Sequence, residues 1–268
     1  MDLGLKGRVA LVTGSHRGTG SAIARTLAAE GAVVFVHGPD PGAGQQAVCA
    51  EIAESGDRAH AVWGDLHSDT GACQVREQVL ALGVGVDVLV NNYGGAASGR
   101  WDTLDSDAWV ELYQRNTLSA VRMVRAFADG MKERGFGRII QLATIGVISP
   151  NARMPHYYAS KGAMANLAVS LSKELAGTGI TVNTVSPGLI HTAEVEANFR
   201  ATATRRGWGD DWGTIEARAV EAFMPNPCGR MARREEVADL VAFVASDRAA
   251  YINGTHLRID GGATGTVL

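Results

Sequence analysis

The sequence predicts a doubly wound α/β fold, in which about seven parallel strands form one sheet with helices on both faces. Short runs rich in β-branched residues alternate with longer stretches that carry apolar residues at helical spacing. The short runs are apolar along their whole length, which is typical of parallel strands that are buried on both faces. The same alternation also fits a β/α barrel, so the barrel is the alternative fold.

The elements follow one another regularly along the chain. The candidate strands are Val9–Thr13, Val33–His37, Ala59–Trp63, Val86–Val90, Arg138–Ala143, Thr181–Val185 and His256–Ile259. The stretches Gly20–Glu30 and Gln45–Ser55 are amphipathic and predict helices, and a longer helix is predicted from Asp105 to Met131. Crossovers of this length between seven strands favour the doubly wound sheet.

Composition predicts one soluble domain over residues 1–268. A chain of 268 residues that is 46% hydrophobic can bury a large core without disulfides. The formal net charge of -3 argues against a protein dedicated to nucleic acids or membrane surfaces. Three widely spaced cysteines and no run of apolar residues long enough to cross a bilayer lead us to expect a reduced, cytoplasmic protein. The seven histidines show no metal-ligand spacing, so we expect no metal site.

One region interrupts the alternation of strands and helices. Residues 191–228, which we call the lid segment, show no strand signal and contain several aromatic residues. Connections of this length are usually substrate lids or binding loops, although a pair of helices packed on the sheet edge fits equally well. The aromatic content leads us to expect a bulky or apolar substrate.

A glycine-rich turn follows the first candidate strand. Gly14 allows a tight turn, Gly18 allows the backbone to approach a pyrophosphate, and Gly20 allows close packing of helix and strand. The helix that follows offers unpaired N–H groups and the positive end of its dipole to phosphates. The turn therefore predicts a dinucleotide-binding site.

Together with other motifs, this turn resembles the short-chain dehydrogenase/reductase family over residues 6 to 262, and in particular the 3-oxoacyl-thioester reductases within it. The further motifs are Asp65-Leu66, Asn91-Asn92-Tyr93-Gly94, Asn116, Tyr157-x-x-x-Lys161, Asn183-x-x-x-Pro187-Gly188, Thr192 and Asp260-Gly261-Gly262. The family usually has Ala where this chain has Tyr93. The resemblance implies a Rossmann-type domain and an oxidoreductase that moves a hydride between nicotinamide and a carbonyl or secondary alcohol.

The resemblance also implies which residues bind the cofactor. They are Gly14, His16, Arg17, Gly18, Thr19, Gly20, His37, Gly38, Asp65, Leu66, Asn92, Gly94, Tyr157, Lys161, Pro187, Gly188 and Thr192. Two features favour NADP(H): the second strand ends at Gly38 without the acid that binds a free ribose 2′-OH, and Arg17 is basic. Because Asp40 lies two residues beyond Gly38, NAD(H) stays open.

Four residues are the catalytic candidates. Tyr157 and Lys161 are four residues apart on a predicted helix, so both project from one face, and a nearby ammonium group lowers the pKa of a phenol. Thr144 stands where the family keeps a serine that binds the substrate oxygen, and Ser149 is the alternative hydroxyl. Asn116 is implied to hold a water that links Lys161 to solvent.

Three functions fit these residues. The first is an NADP(H)-preferring carbonyl reductase in which Tyr157 is the general acid and base. The second is an NAD-dependent alcohol, sugar or steroid dehydrogenase, and the third is a dinucleotide-binding sensor without turnover. In the family that this sequence resembles, two helices commonly pair between subunits. They correspond to the helix from Asp105 and to the helix that starts near Tyr157. We therefore expect a homo-oligomer, a tetramer or a dimer.

Overall fold

A sheet of seven parallel strands forms the centre of the protein, in a computed structural model that describes residues 2–266. In chain order the strands are β1 (Val9–Val12), β2 (Val33–Gly38), β3 (Arg58–Trp63), β4 (Val88–Asn91), β5 (Gly137–Leu142), β6 (Ile180–Pro187), β7 (Ile190–His191), β8 (Ala232–Arg233) and β9 (His256–Ile259). The large sheet has the order β3-β2-β1-β4-β5-β6-β9, and β7 pairs with β8 separately. Because the large sheet is open at β3 and β9, the doubly wound fold is confirmed and the barrel is wrong.

Helices cover both faces of this sheet. They are α1 (Gly18–Ala29), α2 (Ala43–Glu54), α3 (Asp69–Leu80), α4 (Ser106–Tyr113), α5 (Ser119–Arg134), α6 (Pro155–Glu174), α7 (Ala193–Arg206), α8 (Trp212–Phe223) and α9 (Arg234–Ala245). On one face Val34 and Val90 pack in a core with residues of α1, α2 and α9. On the other face Leu11 and Leu89 pack with residues of α3, α5 and α6. The strands are therefore buried on both sides, as their continuous apolar runs predict.

The order of the strands places the site. β1 pairs with β2 on one side and with β4 on the other, so the chain leaves β1 in one direction and later returns to its opposite side. In open α/β sheets, ligands bind in the crevice outside the carboxyl ends of the strands at such a reversal. The glycine-rich turn lies at this position, directly after β1.

Two regions differ from the predicted elements, whereas the predicted strands end within two residues of those observed. The helix predicted from Asp105 to Met131 is interrupted by a π-helical turn at Gln114–Leu118 and continues to Arg134. The lid segment is mainly helical, with α7 and α8 in it, and His191 belongs to the short strand β7. Among residues 2–266, no helix combines the length and the apolar composition that crossing a bilayer requires.

Candidate active site

The glycine-rich turn between β1 and α1 has the conformation that its glycines predict. Gly14 and Gly18 both have positive φ angles, of 64° and 58°. A Cβ atom on Gly20 would lie 2.6 Å from the Gly14 carbonyl oxygen, so only glycine allows α1 to pack this closely on the turn. A Cβ atom on Gly18 would meet no atom within 4 Å, which leaves the space beside this residue open.

A buried histidine, His37, fixes this turn through hydrogen bonds. The Gly14 N–H donates to His37 Nδ1 over 2.9 Å, and His37 Nε2 lies 2.9 Å from the Gly64 carbonyl oxygen. Because Nδ1 accepts, Nε2 carries the proton and donates to Gly64. Burial lowers the pKa of His37 to about 4, so the ring is neutral. His37, predicted to bind the cofactor, therefore lies beneath the turn and ties it to the ends of β2 and β3.

The residues around the turn fit a dinucleotide. A cavity of about 260 Å³ opens here, and it is lined by Gly14, His16, Arg17, Pro39, Asn92, Tyr93, Gly94 and Arg115. Within the described chain no side chain caps the first turn of α1, where Thr19 and Gly20 lie, so its N–H groups can receive phosphate oxygens. His16 Nδ1 is buried without a hydrogen-bond partner among residues 2–266.

The end of β2 carries no acidic side chain, because Gly38 stands there. A Cβ atom on Gly38 would lie 2.6 Å from Gln45 Nε2, and Gln45 is itself fixed because it donates to the Asp40 carbonyl oxygen over 2.6 Å. Asp40 is exposed. On the other side of the groove, Arg17 is exposed and its guanidinium lies 2.9 Å from the Glu194 carboxylate. The ion pair of Arg17 and Glu194 therefore lies beside this part of the groove, and no carboxylate stands at Gly38.

The end of β4 is joined to β1 by side chains. Asn92 donates through Nδ2 to the carbonyl oxygens of Thr13 and Gly14, at 2.9 and 3.1 Å. The Thr13 hydroxyl accepts from the N–H groups of Asn92 and Tyr93, at 3.0 and 2.9 Å. Asn92, predicted to bind the cofactor, thus fixes the turn, while Gly94 lies between Asn116 and Lys161.

A hydrogen-bonded cluster lies beside the end of β3. His67 Nδ1 is 3.1 Å from both Asp65 Oδ1 and the Tyr93 hydroxyl, and its Nε2 is 3.2 Å from Glu111 Oε1. Burial, together with the nearby Asp65 charge, raises the pKa of Tyr93 to about 12, so it stays protonated. The side chain of Leu66 is fully buried. Only its backbone can therefore face the groove.

Lys161 is the centre of the catalytic candidates. Its side chain is buried and donates from Nζ to the Leu142 carbonyl oxygen over 2.7 Å. Burial lowers its pKa to about 8. A Cβ atom on Gly94 would lie 3.2 Å from Nζ, so glycine at this position keeps the groove open beside the ammonium group. Lys161 is therefore reachable from the dinucleotide side.

Tyr157 and Thr144 meet above the end of β5. Burial raises the pKa of Tyr157 to about 12, and the neighbouring Thr144 side chain lowers it by a smaller amount. The Thr144 hydroxyl also accepts from the Gly146 N–H over 3.3 Å, which fixes its direction. Tyr158 points elsewhere, because its hydroxyl accepts from Asn151 Nδ2 over 2.7 Å. The structure thus brings Tyr157 and Thr144 together, and Ser149 is exposed.

Asn116 lies on the π-helical turn and is fully buried. Its Oδ1 accepts from the Gly95 N–H over 2.9 Å, and its Nδ2 donates to the Gly95 carbonyl oxygen and to Ser160 Oγ, at 3.1 and 3.0 Å. The Ser160 hydroxyl donates in turn to the Tyr157 carbonyl oxygen over 2.8 Å. π-Helical turns inside α-helices are frequent at functional sites. Asn116 therefore connects the loop after β4 with the helix of Tyr157 and Lys161.

The end of β6 leads into the lid segment. Pro187 ends β6, and the Gly188 N–H donates to the Ile259 carbonyl oxygen over 2.9 Å. The Thr192 hydroxyl accepts from the Val195 N–H over 3.2 Å and so caps α7. Phe199, Trp208 and Trp212 pack into a small core within the lid segment. These rings therefore have a structural role in the lid segment, and a bulky or apolar substrate stays a prediction.

Several residues of the site were missed from the sequence. They are Ser15, Pro39, His67, Glu111, Arg115, Ser160 and Glu194. The only signal that could have found any of them is proximity to a motif, since Arg115 precedes Asn116 and Ser160 precedes Lys161. In the described chain no three His, Cys, Asp or Glu side chains are grouped closely enough to hold a metal ion.

Known proteins are similar to this chain in sequence and in fold. A family model described as short chain dehydrogenase matches residues 8–203. The 3-oxoacyl-[acyl-carrier-protein] reductase FabG of Escherichia coli (strain K12) is 33% identical over 260 residues, which cover 97% of this chain and 98% of that protein. The matched residues include the glycine-rich turn and the pair Tyr157 and Lys161.

Solved structures agree with these matches. L-Sorbose reductase from Gluconobacter frateurii, complexed with NADPH and L-sorbose, has a TM-score of 0.94 at 30% identity, with 100% of each chain covered. A 3-oxoacyl (acyl-carrier-protein) reductase from Agrobacterium tumefaciens with NADP bound has a TM-score of 0.87 at 32% identity, covering 97% of this chain and 96% of that one. Sequence, fold and site geometry together show that this chain belongs to the short-chain dehydrogenase/reductase family and is an oxidoreductase.

Proposed function

We propose that the protein is an NADP(H)-dependent carbonyl reductase that also oxidises the corresponding secondary alcohol. The observation that carries the proposal is the convergence of Tyr157, Lys161, Asn116 and Thr144 beside the dinucleotide groove. Bound nicotinamide supplies the hydride in one direction and accepts it in the other. The groove would hold the dinucleotide through the glycine-rich turn and the residues that line the 260 Å³ cavity.

The protein's own residues manage the proton. With a pKa raised to about 12 by burial, Tyr157 is protonated at neutral pH, which is the state that can donate to a carbonyl oxygen during reduction. Lys161, with a pKa of about 8, carries a positive charge at neutral pH and stabilises the phenolate that Tyr157 becomes. Thr144 holds the substrate oxygen next to Tyr157, while Asn116 and Ser160 position the helix that carries the pair.

The groove supports NADP(H) over NAD(H). Gly38 carries no acidic side chain that would repel a 2′-phosphate, and Arg17 offers an exposed guanidinium. L-Sorbose reductase and the Agrobacterium reductase were solved with NADPH and NADP. NAD(H) is the alternative cofactor, and the second candidate function is the NAD-dependent dehydrogenase, which the exposed Asp40 near the end of β2 favours.

Within the carbonyl compounds, we infer a polyhydroxylated ketone as the substrate class. The similarity to L-sorbose reductase extends over the whole chain and therefore includes the lid segment. The competing class is a 3-oxoacyl thioester, which the reductases of Escherichia coli and Agrobacterium support. The lid aromatic residues favour neither class, because they pack against Ala219, Val220 and Met231.

We also infer a homo-oligomer, either a dimer or a tetramer, that pairs through α5 and α6. A groove of about 490 Å³ lies between these helices, lined by apolar residues that include Val124, Met164 and Leu171. Leu167 and Val169 of α6 are exposed. A second copy of the chain would cover these side chains, and light scattering measures the mass that decides between a monomer and an oligomer.

The test of the reaction is Tyr157→Phe. This change removes the hydroxyl that moves the proton but keeps the ring, so we expect turnover to fall roughly 10²- to 10⁴-fold while NADPH binding is retained. Turnover is measured as NADPH consumption with L-sorbose, other ketoses and a 3-oxoacyl thioester. Binding is measured by fluorescence titration with NADPH and NADH.

Tyr158→Phe is the matched control. Its hydroxyl contacts Asn151 and not Thr144, so turnover should stay close to that of the wild type. Tight NADPH binding without turnover across the panel would establish a sensor and contradict the proposal. Tight binding of NADH together with weak binding of NADPH would show that NAD(H) is the cofactor, and it would not contradict the oxidoreductase reaction.

A further inference from the structure

An ion pair connects the glycine-rich turn to the lid segment. Arg17 Nη1 lies 2.9 Å from Glu194 Oε1, although 177 positions separate the two residues in the chain. Arg17 immediately precedes α1, and Glu194 lies in the first turn of α7, which Thr192 caps. The ion pair therefore joins Arg17, which lines the proposed dinucleotide groove, to the first turn of α7.

The partner of Arg17 resembles a ligand in its chemistry. A guanidinium binds carboxylates and phosphates with the same fork of N–H donors. Arg17 is also the basic residue next to the part of the groove where no acid stands at Gly38. Glu194 thus occupies, within the protein, the donors that a 2′-phosphate would use.

The pair can exchange partners easily. The two side chains are 68% and 49% exposed, and ion pairs this exposed change an equilibrium only a few-fold. Because half of the Glu194 side chain is exposed, water can solvate its carboxylate when Arg17 leaves.

We propose that Glu194 determines how well the protein discriminates between NADP(H) and NAD(H). Its carboxylate holds Arg17 in the free protein and yields it to the 2′-phosphate, so that binding of the phosphate also releases α7 from the glycine-rich turn. NAD(H), which lacks this phosphate, leaves the pair intact. The inference rests on the proposed use of NADP(H).

The test is Glu194→Gln, read out by binding. Adenosine 2′,5′-bisphosphate and adenosine 5′-monophosphate are the probes, because they differ only in the 2′-phosphate and carry no nicotinamide. We expect the variant to bind the bisphosphate about two- to five-fold more tightly at low ionic strength and to bind the monophosphate as the wild type does. NADPH and NADH should show the same difference.

Glu196→Gln is the matched control. Glu196 lies on the same turn of α7 but pairs with His191 and Arg200 inside the lid segment, so its loss should change neither probe. In an Arg17→Met background, Glu194→Gln should have no effect on the bisphosphate. Equal changes for both probes, or no change for the bisphosphate, would overturn the inference. Failure of the wild type to bind NADPH would instead overturn the proposed function.

Hydrogen exchange tests the release of α7. The bisphosphate should speed exchange of the backbone amides in the first turn of α7 in the wild type, whereas the monophosphate should not. Arg17→Met should remove the difference between the two probes. Unchanged or slower exchange with the bisphosphate would contradict the release of α7.

Discussion

The two sides of the site are held by different kinds of contact. The cofactor edge, which comprises the carboxyl ends of β1, β2 and β4, is fixed by the buried side chains of Thr13 and His37 and the half-buried side chain of Asn92, which bond backbone groups. The substrate edge, which comprises residues 145–154 and the lid segment, is joined through partly exposed groups. The Arg153 guanidinium lies 5.3 Å from the centre of the Phe223 ring and so connects the two parts of this edge.

This difference has a physical consequence. A buried N–H or carbonyl group that loses its partner has no water to replace it, so the cofactor edge has one stable geometry. Exposed ion pairs and cation–π contacts exchange with water at little loss of free energy, so the lid segment can shift when a ligand binds. The cofactor edge therefore keeps one geometry, whereas the contacts of the lid segment can change.

The largest effect is expected when the support beneath the glycine-rich turn is removed. In the wild type, the Gly14 N–H and the Gly64 carbonyl oxygen both bond the imidazole ring of His37. His37→Phe therefore leaves both groups buried without partners. We expect the free energy of unfolding to fall by roughly 2–4 kcal/mol, measured by urea denaturation at neutral pH. NADPH binding should weaken as well, because the turn loses its fixed shape.

The pH dependence of stability separates this role from simple packing. His37 has a pKa of about 4 in the folded protein and an ordinary value of 6.5 when unfolded, so its contribution is complete above pH 6.5. As the pH falls from 6.5 towards 4, the unfolded chain takes up a proton that the folded one does not, and roughly 3 kcal/mol of stability is lost. The difference in the free energy of unfolding between the wild type and His37→Phe should therefore become smaller at acidic pH. An exposed-site control, His60→Phe, should leave the slope unchanged, and an unchanged slope in His37→Phe would contradict the buried neutral ring.

A smaller effect is expected at the boundary between the two edges. Thr144→Ala removes the hydroxyl beside Tyr157 that we propose binds the substrate oxygen, so turnover should fall roughly 10- to 100-fold, with NADPH binding unchanged. Steady-state kinetics and fluorescence titration measure the two quantities. Thr144→Ser should retain most of the activity because it keeps the hydroxyl.

Ser149→Ala is the control for this prediction. Ser149 is the other hydroxyl considered from the sequence, and it is exposed, so its removal should leave turnover near the wild-type rate. A loss of turnover in Ser149→Ala together with normal turnover in Thr144→Ala would reverse the assignment.

The cofactor edge could be predicted from the sequence because its determinants are local. The spacing of Gly14, Gly18 and Gly20 encodes the turn directly, and the helical spacing of Tyr157 and Lys161 places both on one face. What the spacing could not show is that His37 and Asn92 support the backbone of the turn. Those roles depend on which strands become neighbours.

The substrate edge depends on contacts between distant parts of the chain. The sequence has no proline at Gln114–Leu118 that could have predicted the π-helical turn. Asn116 in this turn bonds Gly95 and Ser160, which are distant from it in the sequence. The pairing of Arg17 with Glu194 and the packing of Arg153 on Phe223 are equally distant in sequence. The aromatic residues of the lid segment led us to expect a bulky or apolar substrate. In the structure, Trp208 and Trp212 pack against a small core that includes Ala219 and Val220, which removes apolar surface from water.

The smallest effect is expected at the contact that joins the lid segment to residues 145–154. Phe223→Ala removes a ring that contacts both Arg153 and Phe199. The centre of this ring lies 5.3 Å from the Arg153 guanidinium carbon and 5.4 Å from the centre of the Phe199 ring. Contacts of these kinds contribute about 0.5–1.5 kcal/mol each, so we expect KM for the carbonyl substrate to rise roughly two- to ten-fold. Turnover at saturation and NADPH binding should stay near wild type, because the ring touches neither the reacting atoms nor the glycine-rich turn. Phe223→Tyr keeps the ring and should restore KM. A fall in turnover or in NADPH binding with KM unchanged would show that the lid segment belongs, energetically, to the cofactor edge.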